Sequence, residues 1–139
     1  MSAKDYYHPV VKQALVKAGW KVTHDPLFLK WAKRKLFVDL GAEKLIGAEN
    51  NQSKIAVEVK SFISDSKILD LEKALGQYIL YQKILEQTEP ERTLYLAIPA
   101  MSFEELFIED KFADILLVDN NLKLIVFNPQ MEEIVKWIP

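Results

Sequence analysis

The feature that most constrains this chain is an alternating strand followed by its longest helix. Between Lys54 and Lys60, Ile55, Val57 and Val59 fall on one face and Ala56, Glu58 and Lys60 on the other, the period of a β-strand. From about Ser66 to Gln87, Leu69, Leu71, Leu75, Ile79, Ile84 and Leu85 supply an apolar helical face, and Asp65 or Ser66 suits the N-cap. A second β-rich run, Thr93 to Ile98, comes next. Strand, long helix and strand form a crossover, which requires a sheet with a helix packed on it.

The remaining elements fit around that unit. Pro9 to Ala18 reads as an amphipathic helix, with Pro9 at a first helical position and Gly19 just beyond its end. Trp20 to Thr23 is expected to be a short strand, and Phe28 to Lys35 one or two helical turns. Leu36 to Leu40 and Lys44 to Ala48 read as strands, with a turn at Asn50-Asn51 because Asn tolerates positive φ. Beyond the crossover, Ser102 to Phe107 is expected as a short helix. Ala113 to Val118 and Leu122 to Phe127 read as a hairpin turning at Asn120-Asn121, and Met131 to Trp137 as a closing helix. The predicted fold class is α/β with α+β mixing: a central mixed β-sheet flanked by helices, in a single domain over residues 1–139.

Composition narrows the function. There are no cysteines, so disulfides, thiolate zinc sites and a cysteine nucleophile are excluded. No apolar run reaches the roughly 18–20 residues that span a bilayer, and Met1 to His8 lacks the apolar centre of a signal peptide. The expected location is the cytoplasm, with no membrane partner. A net charge of -2 and a pI near 5.7 argue against a protein that simply coats nucleic acid. They argue less against a nuclease, where acids hold a metal and a local basic stripe meets the phosphates.

Glu58 and Lys60 project side by side from a strand whose neighbours are apolar, which is costly unless they pair, bind a metal or face a cleft. Asp39 is set in another apolar run, Leu36-Phe37-Val38-Asp39-Leu40, although Asp is depleted from strands. Together they suggest a site for Mg²⁺ or Mn²⁺. Asp39, Glu58 and the Val59 backbone carbonyl would be the ligands. The ion would polarise a phosphate and acidify water, and Lys60 would orient that water or stabilise charge growing on the phosphate.

These residues resemble the PD-(D/E)xK nuclease superfamily, whose signature is an Asp on one strand and a (D/E)-x-K tripeptide on the next. Here those are Asp39 and, 19 residues on, Glu58-Val59-Lys60, with Val38 where a proline is usual. Gln77-Tyr78-Ile79-Leu80-Tyr81 is similar to a helix motif of part of that superfamily. It implies that Gln77 positions water or phosphate and that Tyr81, one turn away, supports it. The resemblance implies a restriction-endonuclease-like core. It narrows further. Tyr7-His8, Ala14-Leu15, Gly19-Trp20, Thr23 to Leu27, Val38 to Glu43, Ala56 to Phe62 and Ala74 to Tyr78 look like the XisH family, named for a controlling factor of fdxN element excision. That implies a role in DNA excision or recombination, and a small XisI-type protein as partner.

Plainer readings stand beside these. E-x-K on a strand is often an exposed pair, and Gln77 with Tyr81 is often an ordinary helix pair. Glu49 reads as solvated hairpin charge, while Glu43 is a minor candidate for the site, as is His8 at the start of the first helix. Lys30, Lys33, Arg34 and Lys35 form either a solvated face or a DNA-binding stripe, with Trp31 among them as core or anchor. The leading function is a metal-dependent DNA endonuclease acting in excision, as a homodimer because two strands need two sites. Against it stands a non-catalytic accessory factor that binds DNA or a recombinase. A structural partner for another small protein is a third reading, if Phe103, Leu106, Phe107 and Phe112 are exposed.

Overall fold

A computed structural model describes residues 5–46, 51–120 and 122–139. Helix α1 (His8–Lys17) leads into β1 (Lys21–His24), and a hairpin of β2 (Leu27–Trp31) and β3 (Arg34–Val38) follows. Then come β4 (Leu40–Ile46), β5 (Asn51–Val59), the long α2 (Lys67–Thr88) and β6 (Arg92–Pro99). A short α3 (Ala100–Phe103) continues into a π-helical turn, Glu104–Glu109, and a 3-10 helix, Asp114–Asn120. Strands β7 (Leu124–Asn128) and β8 (Glu133–Ile138) close the chain. Among the described residues the strands make a six-stranded sheet in the order β1-β4-β5-β6-β7-β8 and a separate two-stranded sheet, β2-β3. The large sheet is mixed, because β5-β6 and β6-β7 are parallel while the other pairs are antiparallel. The expected central mixed sheet flanked by helices is therefore the observed one.

The alternation of β5 divides the interior in two. Ile55, Val57 and Val59 join Ala97, Ile125 and Phe127 under Val11 and Leu15 of α1. Ala56, Leu94, Leu96, Ile98 and Val126 point the other way, under Leu71, Ala74, Tyr78 and Tyr81 of α2. The β2-β3 hairpin packs its inner side, Leu27, Leu29 and Val38, into that same α2 layer. Glu58 is thus set on the α2 side of the sheet. Ser66 caps α2 as expected, accepting a hydrogen bond from the Leu69 N–H at 3.1 Å. Among the described residues no helix is long and apolar enough to cross a membrane.

Tyr78 ties this layer together. Its buried hydroxyl donates to the Leu94 carbonyl at 3.2 Å and accepts from the Lys123 N–H at 3.1 Å. Tyr78→Phe leaves two main-chain groups short of a partner and is expected to cost about 1–3 kcal/mol. A lower urea midpoint with an unchanged slope would show it.

Four local expectations need correction. Phe28 to Lys35 is not helical: it is most of the β2-β3 hairpin, closed between Trp31 and Arg34 by Ala32-Lys33, with Ala32 at φ 55°. The turn lacks the Gly or Asn that usually announces one, so the pattern was hidden. Leu36 to Leu40 is not one strand, since the chain leaves the hairpin at Val38 and enters the main sheet at Leu40, with Asp39 between. Ala113 to Val118 is helical. Ala113, Leu116 and Leu117 turn towards the core while Ile115 and Val118 are exposed, a spacing of three and four rather than two. Met131 to Trp137 is mostly strand β8, paired with β7 after a turn in which the Asn128 side chain accepts from the Gln130 and Met131 N–H groups. Of the turn expected at Asn50-Asn51, Asn50 lies outside the described residues and Asn51 is already the first residue of β5; Asn121 also lies outside them.

Candidate active site

Three elements meet at a cleft of about 280 Å³ on the α2 side: the exit of the hairpin, the end of β5 and the middle of α2. Lys35 and Phe37 come from β3, Asp39 from the junction that follows, Glu58, Val59 and Lys60 from β5 and just beyond, and Gln77 and Tyr81 from α2. Thus the residues singled out as Asp39, E-x-K and Q-x-x-x-Y line one cavity.

Asp39 and Glu58 clamp each other through the main chain. The Val59 N–H donates to Asp39 Oδ2 at 2.8 Å, and the Asp39 N–H donates to Glu58 Oε1 at 3.2 Å. This is possible because Asp39 lies at the point where the chain passes between sheets, so its own N–H has no ladder partner to satisfy. One carboxylate holds the strand that carries the other. Lys60 is fixed beyond the strand end by its N–H, which donates to the Ala97 carbonyl at 3.0 Å.

The electrostatics match this crowding. Glu58 is only 5% exposed, and burial, then the neighbouring Asp39, pushes its carboxyl up to about 8; Lys60 opposes the rise. Tyr81 is pushed up to about 12 by burial, then by Glu58 and Asp39, so it stays a neutral phenol. Gln77 carries a buried side-chain oxygen with no hydrogen-bond partner among the described residues. A buried acceptor left unpaired beside two carboxylates calls for a donor or a cation in the cleft. The donor set fits a hard divalent ion, which takes oxygen ligands and keeps waters. Among the described residues there is no group of three or more His, Asp or Glu side chains placed to hold a metal, so such an ion would rest on two carboxylates, the Val59 carbonyl and water.

Asp5, which no motif of the sequence marks, is a further acid of the cleft. Its Oδ1 accepts from the Tyr7 N–H and its Oδ2 from the Ser61 N–H, both at 3.2 Å, which joins the start of α1 to the residue after Lys60. Burial, then Asp39 among the charges, raises its carboxyl. An Asp accepting from the N–H two residues on is a turn signal that could have been read; the contact with Ser61 could not.

Other candidates fall elsewhere. His8 is buried, with Nε2 at 2.7 Å from Asp25 Oδ1, and Asp25 also receives Lys12 at 2.8 Å. Glu43 pairs across β1 and β4 with Lys21 and lines a groove with Lys44 and Gln52. Neither lines the carboxylate cleft, because their strand and helix positions face other surfaces. Lys30, Lys33 and Arg34 line a shallow groove on the hairpin, and Lys35 borders both that groove and the cleft. Phe103, Leu106 and Phe107 are buried; Phe112 is exposed. Trp20 and Trp137 pack together, their ring centroids 5.8 Å apart.

The profile of the XisH protein family matches residues 1–135. The chain belongs to the XisH family. The crystal structure of an XisH family protein from Nostoc punctiforme PCC 73102 superposes with a TM-score of 0.85 at 39% identity, covering 97% of this chain and 100% of that one. A fdxN element excision controlling factor protein from Anabaena variabilis gives 0.83 and 38%, covering 96% and 98%. No curated protein is significantly similar in sequence to this XisH chain. The likeness extends over nearly the whole length of this XisH protein and of both relatives.

Proposed function

We propose that this XisH protein is a divalent-metal-dependent DNA endonuclease of the PD-(D/E)xK type, acting in the excision of a DNA element. The reading rests on the reciprocal clamp of Asp39 and Glu58 at a cleft that Lys60 and Gln77 also line. Asp39, Glu58 and the Val59 carbonyl would hold Mg²⁺ or Mn²⁺. Bound there, the ion supplies Lewis acidity for a phosphate oxygen and for water. The chain's own groups do the rest. Lys60 donates hydrogen bonds to the phosphate as negative charge grows on it. Gln77 turns its unpartnered oxygen to the attacking water and orients its proton. Tyr81, neutral across the physiological range, walls the site beside Gln77 without adding a charge. Lys30, Lys33, Arg34 and Lys35 meet the DNA backbone. The link to excision comes from the Anabaena variabilis relative, which is described as a controlling factor of fdxN element excision. A homodimer would supply one site for each strand, and an XisI-type protein is the partner we assign.

Two observations favour the accessory reading instead, in which the protein binds DNA or a recombinase without cutting: the Anabaena variabilis relative is described as a controlling factor, and the net charge here is -2. Incubation of supercoiled DNA with the protein and Mn²⁺ separates the two readings. Wild type is expected to nick it, and Lys60→Ala to lose about 100- to 1,000-fold in rate while still binding the ion. Intact supercoiled DNA alongside tight Mn²⁺ binding would favour the accessory factor.

A further inference from the structure

The β2-β3 hairpin carries an outer face that the packing of the fold does not use. Its inner side is buried through Leu27, Leu29 and Val38, while Phe28 and Lys30 on β2 face outward beside their register partners Phe37 and Lys35 on β3. Phe28 is 57% exposed, and Trp31, at the hairpin tip, 48%. The two phenyl rings meet edge to face with centroids 6.2 Å apart, and the Lys35 ammonium rests over the Phe28 ring, 4.3 Å from its centroid. Between residues 26 and 38 the chain has four cations and no acid, in a protein of net charge -2. None of the four makes an ion pair among the described residues. The face is continuous with the cleft, since Lys35 and Phe37 line that cavity with Asp39.

An exposed aromatic face among unpaired lysines suits one kind of polyanion. In a duplex each base is already stacked on its neighbours and offers only its edges. A phenyl ring open to solvent has a stacking partner only where a base is unpaired, and the flanking lysines then hold the phosphates on either side. We propose that the outer face of this hairpin binds an unpaired DNA strand, stacking a base on Phe28 and leading the backbone past Lys35 into the carboxylate cleft. Lys35 leaves the ring for a phosphate as the base arrives. The inference rests on the nuclease reading for its direction into the cleft and names the substrate class of that site as single-stranded or frayed DNA.

Fluorescence anisotropy in EDTA, where no cleavage occurs, tests it with the full chain. The probes are a labelled oligothymidylate of about 20 nucleotides, longer than a single stacking platform covers, and a duplex of equal length. The oligothymidylate is expected to bind more tightly. Phe28→Ala should weaken that binding by about 5- to 150-fold and leave the duplex nearly unchanged, and Phe28→Trp should restore it. Lys35→Ala should weaken both and lower the salt dependence by about one phosphate contact. Circular dichroism checks that each variant is folded. Equal affinity for duplex, or an unchanged Phe28→Ala, overturns the proposal. So does tighter binding of RNA of the same length, or a self-association lost in Phe28→Ala by sedimentation, which would make the occupant a second copy of the chain. Cleavage of supercoiled DNA is scored separately. A single-strand preference that depends on Phe28, with no cleavage by any form, supports the platform and retires the endonuclease. Cleavage without that preference retires the platform alone.

Discussion

Asp39→Ala is expected to abolish both Mn²⁺ binding and DNA nicking, with nicking reduced by more than the roughly 10- to 100-fold that losing a supporting partner costs a metal site. The substitution removes one of the two carboxylates in the cleft and also deprives the Val59 N–H of its acceptor at 2.8 Å. A second variant separates those effects. Asp39→Asn keeps an oxygen to accept from Val59 and loses the charge. It is expected to fold with near wild-type stability and still fail to bind the ion. Calorimetric titration with Mn²⁺ and a plasmid nicking assay read the two outcomes. Nicking by Asp39→Ala at the wild-type rate would sink the assignment of this cleft as the active site.

Glu58→Gln is expected to stabilise the metal-free protein at alkaline pH. The side chain is buried, and its carboxyl is pushed from the ordinary 4.5 up to about 8 by burial, then by Asp39. A raised carboxyl means that the folded state holds the proton more tightly than the unfolded chain. Its contribution to stability is therefore fully present below about 4.5 and is lost as pH rises through about 8. Above that range the ionised carboxylate burdens the folded state by on the order of a few kcal/mol, which glutamine removes. The sign reverses for metal binding, because a ligating carboxylate must be ionised. Mn²⁺ affinity should weaken by about tenfold for each pH unit below the Glu58 midpoint, with one proton released per ion bound. Thermal melts of wild type and Glu58→Gln across that range, with and without Mn²⁺, test both signs. A melting temperature for the metal-free wild type that climbs through pH 8 would contradict the first.

The long elements were legible because their signals are local and repeated. The alternation of Ile55, Val57 and Val59 placed β5, and the apolar spacing placed α2 to within a residue or two of Lys67–Thr88. The face itself differs from the expected one: Leu69 and Ile79 are exposed, and Ala74, Tyr78 and Tyr81 are buried beside Leu71, Ile84 and Leu85. The acid pair was legible for a related reason, since a carboxylate among apolar residues has to be accounted for. Where the signal was non-local, the sequence misled. Phe28 to Lys35 has no glycine or asparagine at its turn, and its register is set by packing Leu27, Leu29 and Val38 against α2. Likewise β8 became a strand because the open edge of β7 offered hydrogen bonds to Glu133–Ile138.

By itself, then, the sequence determined the sheet-and-helix class, the central strand, the long helix, and which acids and bases required an explanation, because period and local cost are written in neighbouring residues. Tertiary structure alone decided that Asp39 stands at the crossing between two sheets, that its side chain clamps the strand bearing Glu58, and that Asp5 joins them from the start of α1. Those contacts span 19, 20 and 56 residues of chain. No periodicity encodes such distances; they follow from how two sheets and a helix share one buried layer.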